Sequence, residues 1–161
     1  MKIIRRRLEI MPLHPLVVHF PIALLLTATL IEIVNLFLKK ESVSRMGTVL
    51  VFVGVLLGFV SLATGDPAEA FAFKNWGRGI HDTVELHSFL AGTSVTLFAI
   101  VAVIKLFGKR LKFNKNLIIA LVIVFSITGS TTLAITGHLG GKIVYQHEQL
   151  TSKSGGTVDD D

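Results

Sequence analysis

The fold is decided by the first long apolar run, LVVHFPIALLLTATLIEIVNLFL, which spans Leu16–Leu38. A hydrocarbon core of about 30 Å is crossed by about 20 apolar residues in an α-helix, and this run is long enough to do so. Three further runs have comparable length: Gly47–Thr64, Leu86–Phe107 and Leu117–Gly137. Because a lipid-exposed backbone must satisfy its hydrogen bonds within each segment, these runs predict four membrane helices. We therefore expect an all-α integral membrane four-helix bundle of up-down-up-down order.

The four helices are predicted to form one domain over residues 1–149. Their expected bounds are about 16–38, 47–64, 84–107 and 117–138. The first run is too long for the core of a secretory signal, so it is interpreted as an uncleaved membrane helix. The tail, residues 150–161, is small, polar and acidic, and we expect it to be disordered.

The amino-acid composition limits which partners and cofactors the chain can bind. The chain is 51% hydrophobic and 17% charged, with a formal charge of +5. Its basic residues lie at the ends of apolar runs, where Lys and Arg anchor membrane helices, so a lipid bilayer is the expected partner and nucleic acid is not. The chain has no cysteine, which excludes disulfide scaffolds, iron–sulfur clusters and covalently attached haem.

Basic residues also suggest an orientation in a bacterial inner membrane. The two short turns after the first and third helices are rich in Lys and Arg, so we expect them on the cytoplasmic side. The opposite end would then face the periplasm or exterior. The cluster Arg5-Arg6-Arg7 argues for the reverse orientation.

All histidines fall at one end of the predicted bundle. Three of them, His19, His87 and His138, lie within or at the edge of a membrane helix, where a polar side chain is costly and tends to face the interior. Facing helices of a bundle hold cofactors in this way, and neutral imidazole binds haem iron, copper and zinc. Hydrogen-bonded structural histidines are the alternative. The remaining three are His14, which could cap the first helix, His81, which we expect to pair with Glu85, and His147 in the tail.

Two glycine motifs and one carboxylate also lie near the predicted spans. Gly54-x-x-x-Gly58 predicts close helix packing. The segment GHLGG over 137–141 is predicted to end the fourth helix near His138, and its glycines suggest that a porphyrin or another helix approaches the backbone closely. Glu32 is expected to reach the interface or pair with a basic residue.

Three segments resemble a known family. They are LHPLVVHFPIAL over 13–24, ATGDPAE over 63–69 and GHLGGKIVYQH over 137–147. Together they resemble a family of bacterial four-helix predicted membrane proteins, domain of unknown function 2231. Members of this family are suspected of binding haem or of acting in redox chains, and the resemblance implies the same here. In this sequence His14, His19, His87, His138 and His147 match family positions.

Three hypotheses follow, and whether the protein is an enzyme stays open. The first is a membrane electron-transfer protein with one or two haem b groups. Its axial ligands would be His19 with His87, and His14 with His138 for a second haem or a metal ion, with Arg78 and Lys142 near the propionates. Its partner would be a redox protein or a larger respiratory or photosynthetic complex.

The second hypothesis is a copper, zinc or non-haem iron site built from His19, His87 and His138, with oxygen ligands from Asp66 or Glu69. Imidazole from His14 is a further candidate ligand for such an ion. The third is a cofactor-free assembly or scaffold subunit, whose histidines serve helix packing. A homo-oligomer is compatible with all three.

Overall fold

The computed structural model describes residues 13–108, 110 and 114–154, with side chains up to Tyr145 except that of Arg78. Its helices are α1 His14–Leu38, α2 Glu41–Ala63, α3 Gly65–Trp76, α4 His81–Phe107 and α5 Lys115–Ser154, with a 3-10 turn at Arg78–Ile80. Helices α1, α2, α4 and α5 are long and apolar enough to cross a membrane. The predicted all-α membrane bundle is confirmed.

The largest differences from the predicted helix bounds are at the start of α2 and at the end of α5. The turn between α1 and α2 contains only Lys39 and Lys40: Lys39 ends α1 in the left-handed conformation (φ 51°), and α2 begins at once with Glu41. A carboxylate in a first helical turn is favoured by the helix dipole, which is why α2 starts earlier than its apolar run.

The fourth membrane helix also continues past its predicted end near His138. Helix α5 runs to Ser154, so the three glycines of the GHLGG segment lie inside it. Each glycine costs a helix about 1 kcal/mol relative to alanine, but no proline follows to break the backbone hydrogen bonds. Residues 150–154 of the predicted tail belong to α5, and residues 155–161 lie outside the described residues.

The four membrane helices form a ring in which α1 and α4 lie diagonally opposite. Each of these two helices packs against α2 on one side and α5 on the other. Glycines allow the close approaches, as the Gly54-x-x-x-Gly58 motif predicted: a Cβ at Gly54 would lie 2.6 Å from Leu25 Cδ2, and one at Gly58 3.0 Å from Val95. The core includes Leu25, Val51 and Phe98, none of which is exposed.

The bundle contains an internal repeat that the sequence-based expectations did not include. A shift of 73 residues, as from Glu32 to Lys105, carries the buried positions of α1 onto interior positions of α4. These pairs are Pro21 with Ser94, Leu25 with Phe98, Ala28 with Val101, Thr29 with Ala102, and Glu32 with Lys105.

Helices α2 and α5 repeat in the same way. The shift that carries Val51 onto Ser126 places every buried position of α5 on a buried position of α2, and buried Val55 on half-buried Ser130. These pairs are Gly47 with Val122, Val51 with Ser126, Gly54 with Gly129, Gly58 with Leu133, and Ser61 with Thr136. The hairpins α1–α2 and α4–α5 are therefore related by a pseudo-twofold axis along the bundle, which passes between α1 and α4.

Candidate functional site

Two histidines meet on this axis. His14 opens α1 and His87 lies in the second turn of α4, at positions that the internal repeat makes equivalent. Their ring centroids are 6.3 Å apart and the ring planes are inclined by 78°. Both side chains are half-buried. The structure thus brings together two imidazoles from diagonally opposite helices at one end of the bundle.

Each ring is held by a backbone carbonyl of the neighbouring helix. The Nδ1 atom of His14 lies 3.0 Å from the Ser61 carbonyl oxygen, and that of His87 lies 2.9 Å from the Thr136 carbonyl oxygen. Ser61 and Thr136 are themselves pseudo-equivalent. A ring nitrogen that faces a carbonyl donates its N–H, so in the neutral tautomer Nε2 carries the lone pair. This is the arrangement in which proteins orient a histidine that binds metal.

Two further contacts shape the pair. The Thr64 hydroxyl also lies 3.0 Å from His14 Nδ1. On the other side, a Cβ at Gly140 would lie 3.2 Å from His87 Cε1, so this glycine lets α5 pack against the imidazole. The bulky group that the GHLGG segment was expected to accommodate is, at Gly140, the His87 ring. Gly137 and Gly141 face open space.

His19 and His138 lie away from the pair. Both are exposed on the outer surface of the bundle, and His19 Nδ1 contacts the carbonyl of Pro15 in its own helix. The step from His14 to His19 turns the second ring about 140° around α1. The geometry therefore favours His14, in place of His19, as the partner of His87.

His81 is exposed and forms the predicted pair with Glu85, their nitrogen and oxygen 3.8 Å apart. Its ring stacks on Phe73 of α3, with centroids 5.7 Å apart. The side chains of His147 and Arg78 lie outside the described residues. Lys142 and Asp66 are exposed, whereas Glu69 lines a surface cavity with His81. Within the described residues, no three His, Asp or Glu side chains converge to hold a metal ion.

The opposite end of the axis carries a second pair. The Lys105 ammonium group donates to Glu32 Oε1, and the two side chains are 7% and 9% exposed. This confirms the expectation that Glu32 pairs with a basic residue. Gly47 provides the space for the Glu32 carboxylate, because a Cβ at this position would overlap Glu32 Oε1.

Sequence reasoning missed several residues that shape the two ends of the axis. They are Ser61, Thr64, Thr136 and Lys105. One signal could have indicated the repeat: His14 precedes Glu32 by as many residues as His87 precedes Lys105.

These features define a multi-pass helical membrane protein, a pseudo-twofold four-helix bundle with a histidine pair at one end of its axis and a buried ion pair at the other. The chain belongs to the predicted membrane protein family DUF2231, whose model matches residues 10–153. No curated protein and no solved structure matches it. The family resemblance noted in the sequence is thereby confirmed.

Proposed function

We propose that this protein is a membrane electron-transfer protein that binds one b-type haem between His14 and His87. The observation that carries the proposal is the pair of pseudo-equivalent imidazoles on the bundle axis, each oriented through Nδ1 by a carbonyl. A haem iron has four porphyrin nitrogens and takes one axial imidazole on each side of its ring. Two ligands related by a twofold axis meet that requirement.

The spacing of the rings supports this proposal. Two metal–nitrogen bonds of about 2.0 Å put the centres of two opposed imidazoles roughly 6 Å apart. The ring centroids of His14 and His87 are 6.3 Å apart. Their inclination of 78° is compatible with binding one iron, because the planes of two imidazoles that bind the same iron can be perpendicular.

The number of ligands favours haem over a metal ion without a porphyrin. Zinc and non-haem iron sites take three or more protein ligands. Two imidazoles meet here, and the described part of the chain offers no third His, Asp or Glu side chain beside them. A two-coordinate copper site and a cofactor-free scaffold subunit are therefore outcomes that the experiment must distinguish.

The remaining assignments follow from where the pair lies. When bound, haem would supply one-electron chemistry, and the carbonyls of Ser61 and Thr136 would keep both rings in the ligating tautomer. Because His19 and His138 are exposed and apart from the pair, we propose one haem, not two. The redox partner would dock at the histidine end, which we place on the periplasmic side of a bacterial inner membrane.

Spectroscopy of purified variants tests haem binding. The protein is expressed with a haem supply, purified in detergent, and its absorption is recorded oxidised and dithionite-reduced. We expect the sharp reduced bands of a low-spin b-type haem, and a tenfold or greater loss of bound haem in His14→Ala and His87→Ala. The matched controls, His81→Ala and His19→Ala, should retain haem because their rings lie on other faces.

Three results would contradict the proposal. Loss of haem in His19→Ala, with retention in His14→Ala, would restore the ligand pair predicted from the sequence. Colourless protein with one equivalent of copper would indicate an ion site. Colourless, metal-free and folded protein would favour the scaffold hypothesis.

The orientation in the membrane is tested separately by reporter fusions after Lys40 and after Asp161, which should report the cytoplasm and the periplasm, respectively.

A further inference from the structure

We propose that the interior of the bundle, along its α5 side, conducts protons between the Glu32–Lys105 pair and the His14–His87 pair. This proposal goes beyond haem binding and does not depend on it. The two pairs are separated by five helical turns on both α1 and α4, which is about 27 Å. Titratable groups therefore lie on one axis at both edges of the hydrocarbon core, whose thickness is about 30 Å.

Buried and half-buried hydroxyls bridge this distance. From the histidine end, Thr136 is followed by Ser94 and Thr132, whose hydroxyl oxygens are 2.8 Å apart. Further along, Ser130 donates to the Thr29 hydroxyl at 2.8 Å, and Thr29 lies one helical turn before Glu32. With a rise of about 1.5 Å per residue, successive polar groups are about 3–6 Å apart along the axis.

Two of the buried hydroxyls have no hydrogen-bond partner among the described residues. They are the Oγ atoms of Ser126, which is only 1% exposed and whose carbonyl accepts from Thr29, and of Ser61, which is 7% exposed and whose carbonyl accepts from His14. Buried polar atoms are rarely left unpaired, and ordered water commonly supplies the missing partner. Water at these positions would shorten the steps of the hydroxyl series.

The internal repeat shows that the fold accepts apolar side chains at five of these positions, whereas Thr136 and its equivalent Ser61 both carry a hydroxyl. The five pseudo-equivalent positions in the other half carry apolar side chains: Val51 for Ser126, Val55 for Ser130, Leu57 for Thr132, Ala102 for Thr29, and Pro21 for Ser94. Both halves are buried to a similar extent. The hydroxyls of the interior are therefore concentrated along α5 and the faces of α1 and α4 that pack against it.

Hydroxyls on the outer surface behave differently. Thr128 and Thr131 of α5, and Thr93 and Thr96 of α4, each donate to a carbonyl four residues earlier in their own helix. Thr136 does the same, whereas Ser94 bonds across to Thr132, from α4 to α5, and Ser130 bonds across to Thr29, from α5 to α1. Ionisable side chains within membrane helices mark proton relays, and these hydroxyls lie between two such ionisable pairs.

Proton flux into liposomes tests the proposal. The purified full-length protein is reconstituted with a pH-sensitive dye inside, and valinomycin with a potassium gradient imposes the membrane potential. Thr29→Val and Ser126→Ala remove one interior hydroxyl each with little change of shape, and we expect both to lower the flux at least tenfold. Thr128→Val and Thr131→Val are matched controls that remove exposed hydroxyls, and they should conduct as the wild type does.

Two outcomes would overturn the proposal, provided that gel filtration and circular dichroism show the variants to be folded. One is wild-type flux no greater than that of protein-free liposomes. The other is equal flux in the interior and the exposed variants. Neither result bears on haem binding, which the absorption spectra decide separately.

Discussion

The two ends of the pseudo-twofold axis place different kinds of polar side chain at equivalent positions. At one end, equivalent positions carry identical residues, His14 and His87, and each ring bonds to a carbonyl of a neighbouring helix. At the other end, equivalent positions carry opposite charges, Glu32 and Lys105, which bond to each other. The two histidines leave their Nε2 atoms available to bind a cofactor, whereas the two opposite charges bind each other. This difference explains why the candidate cofactor site lies at the histidine end of the axis and a buried ion pair at the other end.

The ion pair should have the largest effect on stability. Lys105→Met leaves the buried Glu32 carboxylate without its partner, and we expect the free energy of unfolding in detergent to fall by about 3–5 kcal/mol. The double variant Glu32→Met/Lys105→Met removes both charges and should recover most of this loss. If the double variant were as unstable as the single one, the unpaired charge could not be the cause.

The next largest effect is expected where the hairpin α1–α2 is tightest. Gly54→Val would place its Cβ 2.6 Å from Leu25 Cδ2, and overpacking of this kind costs about 1–3 kcal/mol. The control, Gly137→Ala, adds a Cβ that meets no atom within 4 Å, so it should stabilise α5 by about 0.5–1 kcal/mol. Thermal unfolding followed by circular dichroism measures both changes. Equal destabilisation by the two variants would contradict the packing described at Gly54.

A smaller coupling is expected between the two histidines in the absence of a cofactor. Their rings contact edge to face, an arrangement worth about 0.5–1.5 kcal/mol in aromatic pairs. A double-mutant cycle of His14→Ala and His87→Ala in haem-free protein measures this coupling free energy. The same cycle with His19→Ala in place of His14→Ala should give a value near zero. A larger coupling free energy between His19 and His87 would show that the His19 ring, and not the His14 ring, faces His87.

The smallest effect is expected for the ion pair outside the core. Arg45 and Glu41 are exposed, with their nitrogen and oxygen 3.7 Å apart. Arg45→Met should therefore lower the free energy of unfolding by less than about 1 kcal/mol. A loss as large as that of Lys105→Met would mean that burial is not what distinguishes the two pairs.

Much of the candidate site could be proposed from the sequence. His14 and His87 were both candidate ligands, and Glu32 was expected either to reach the interface or to pair with a basic residue. The pairing of His19 with His87 was favoured because both lie within apolar runs. Periodicity places His19 about 140° from His14 on α1, but it does not say which of the two rings faces α4.

Local composition was sufficient to predict the number of membrane helices, the end at which the histidines gather and the packing role of Gly54-x-x-x-Gly58. It suffices for these features because each apolar run must satisfy its backbone hydrogen bonds within its own helix. The pseudo-twofold repeat, the continuation of α5 through its glycines and the partners His14–His87 and Glu32–Lys105 became evident only from tertiary packing. Those features depend on how each helix is rotated against its two neighbours, and that rotation is set by side chains distant in sequence, such as Leu25 against Gly54 and Phe98 against Gly129.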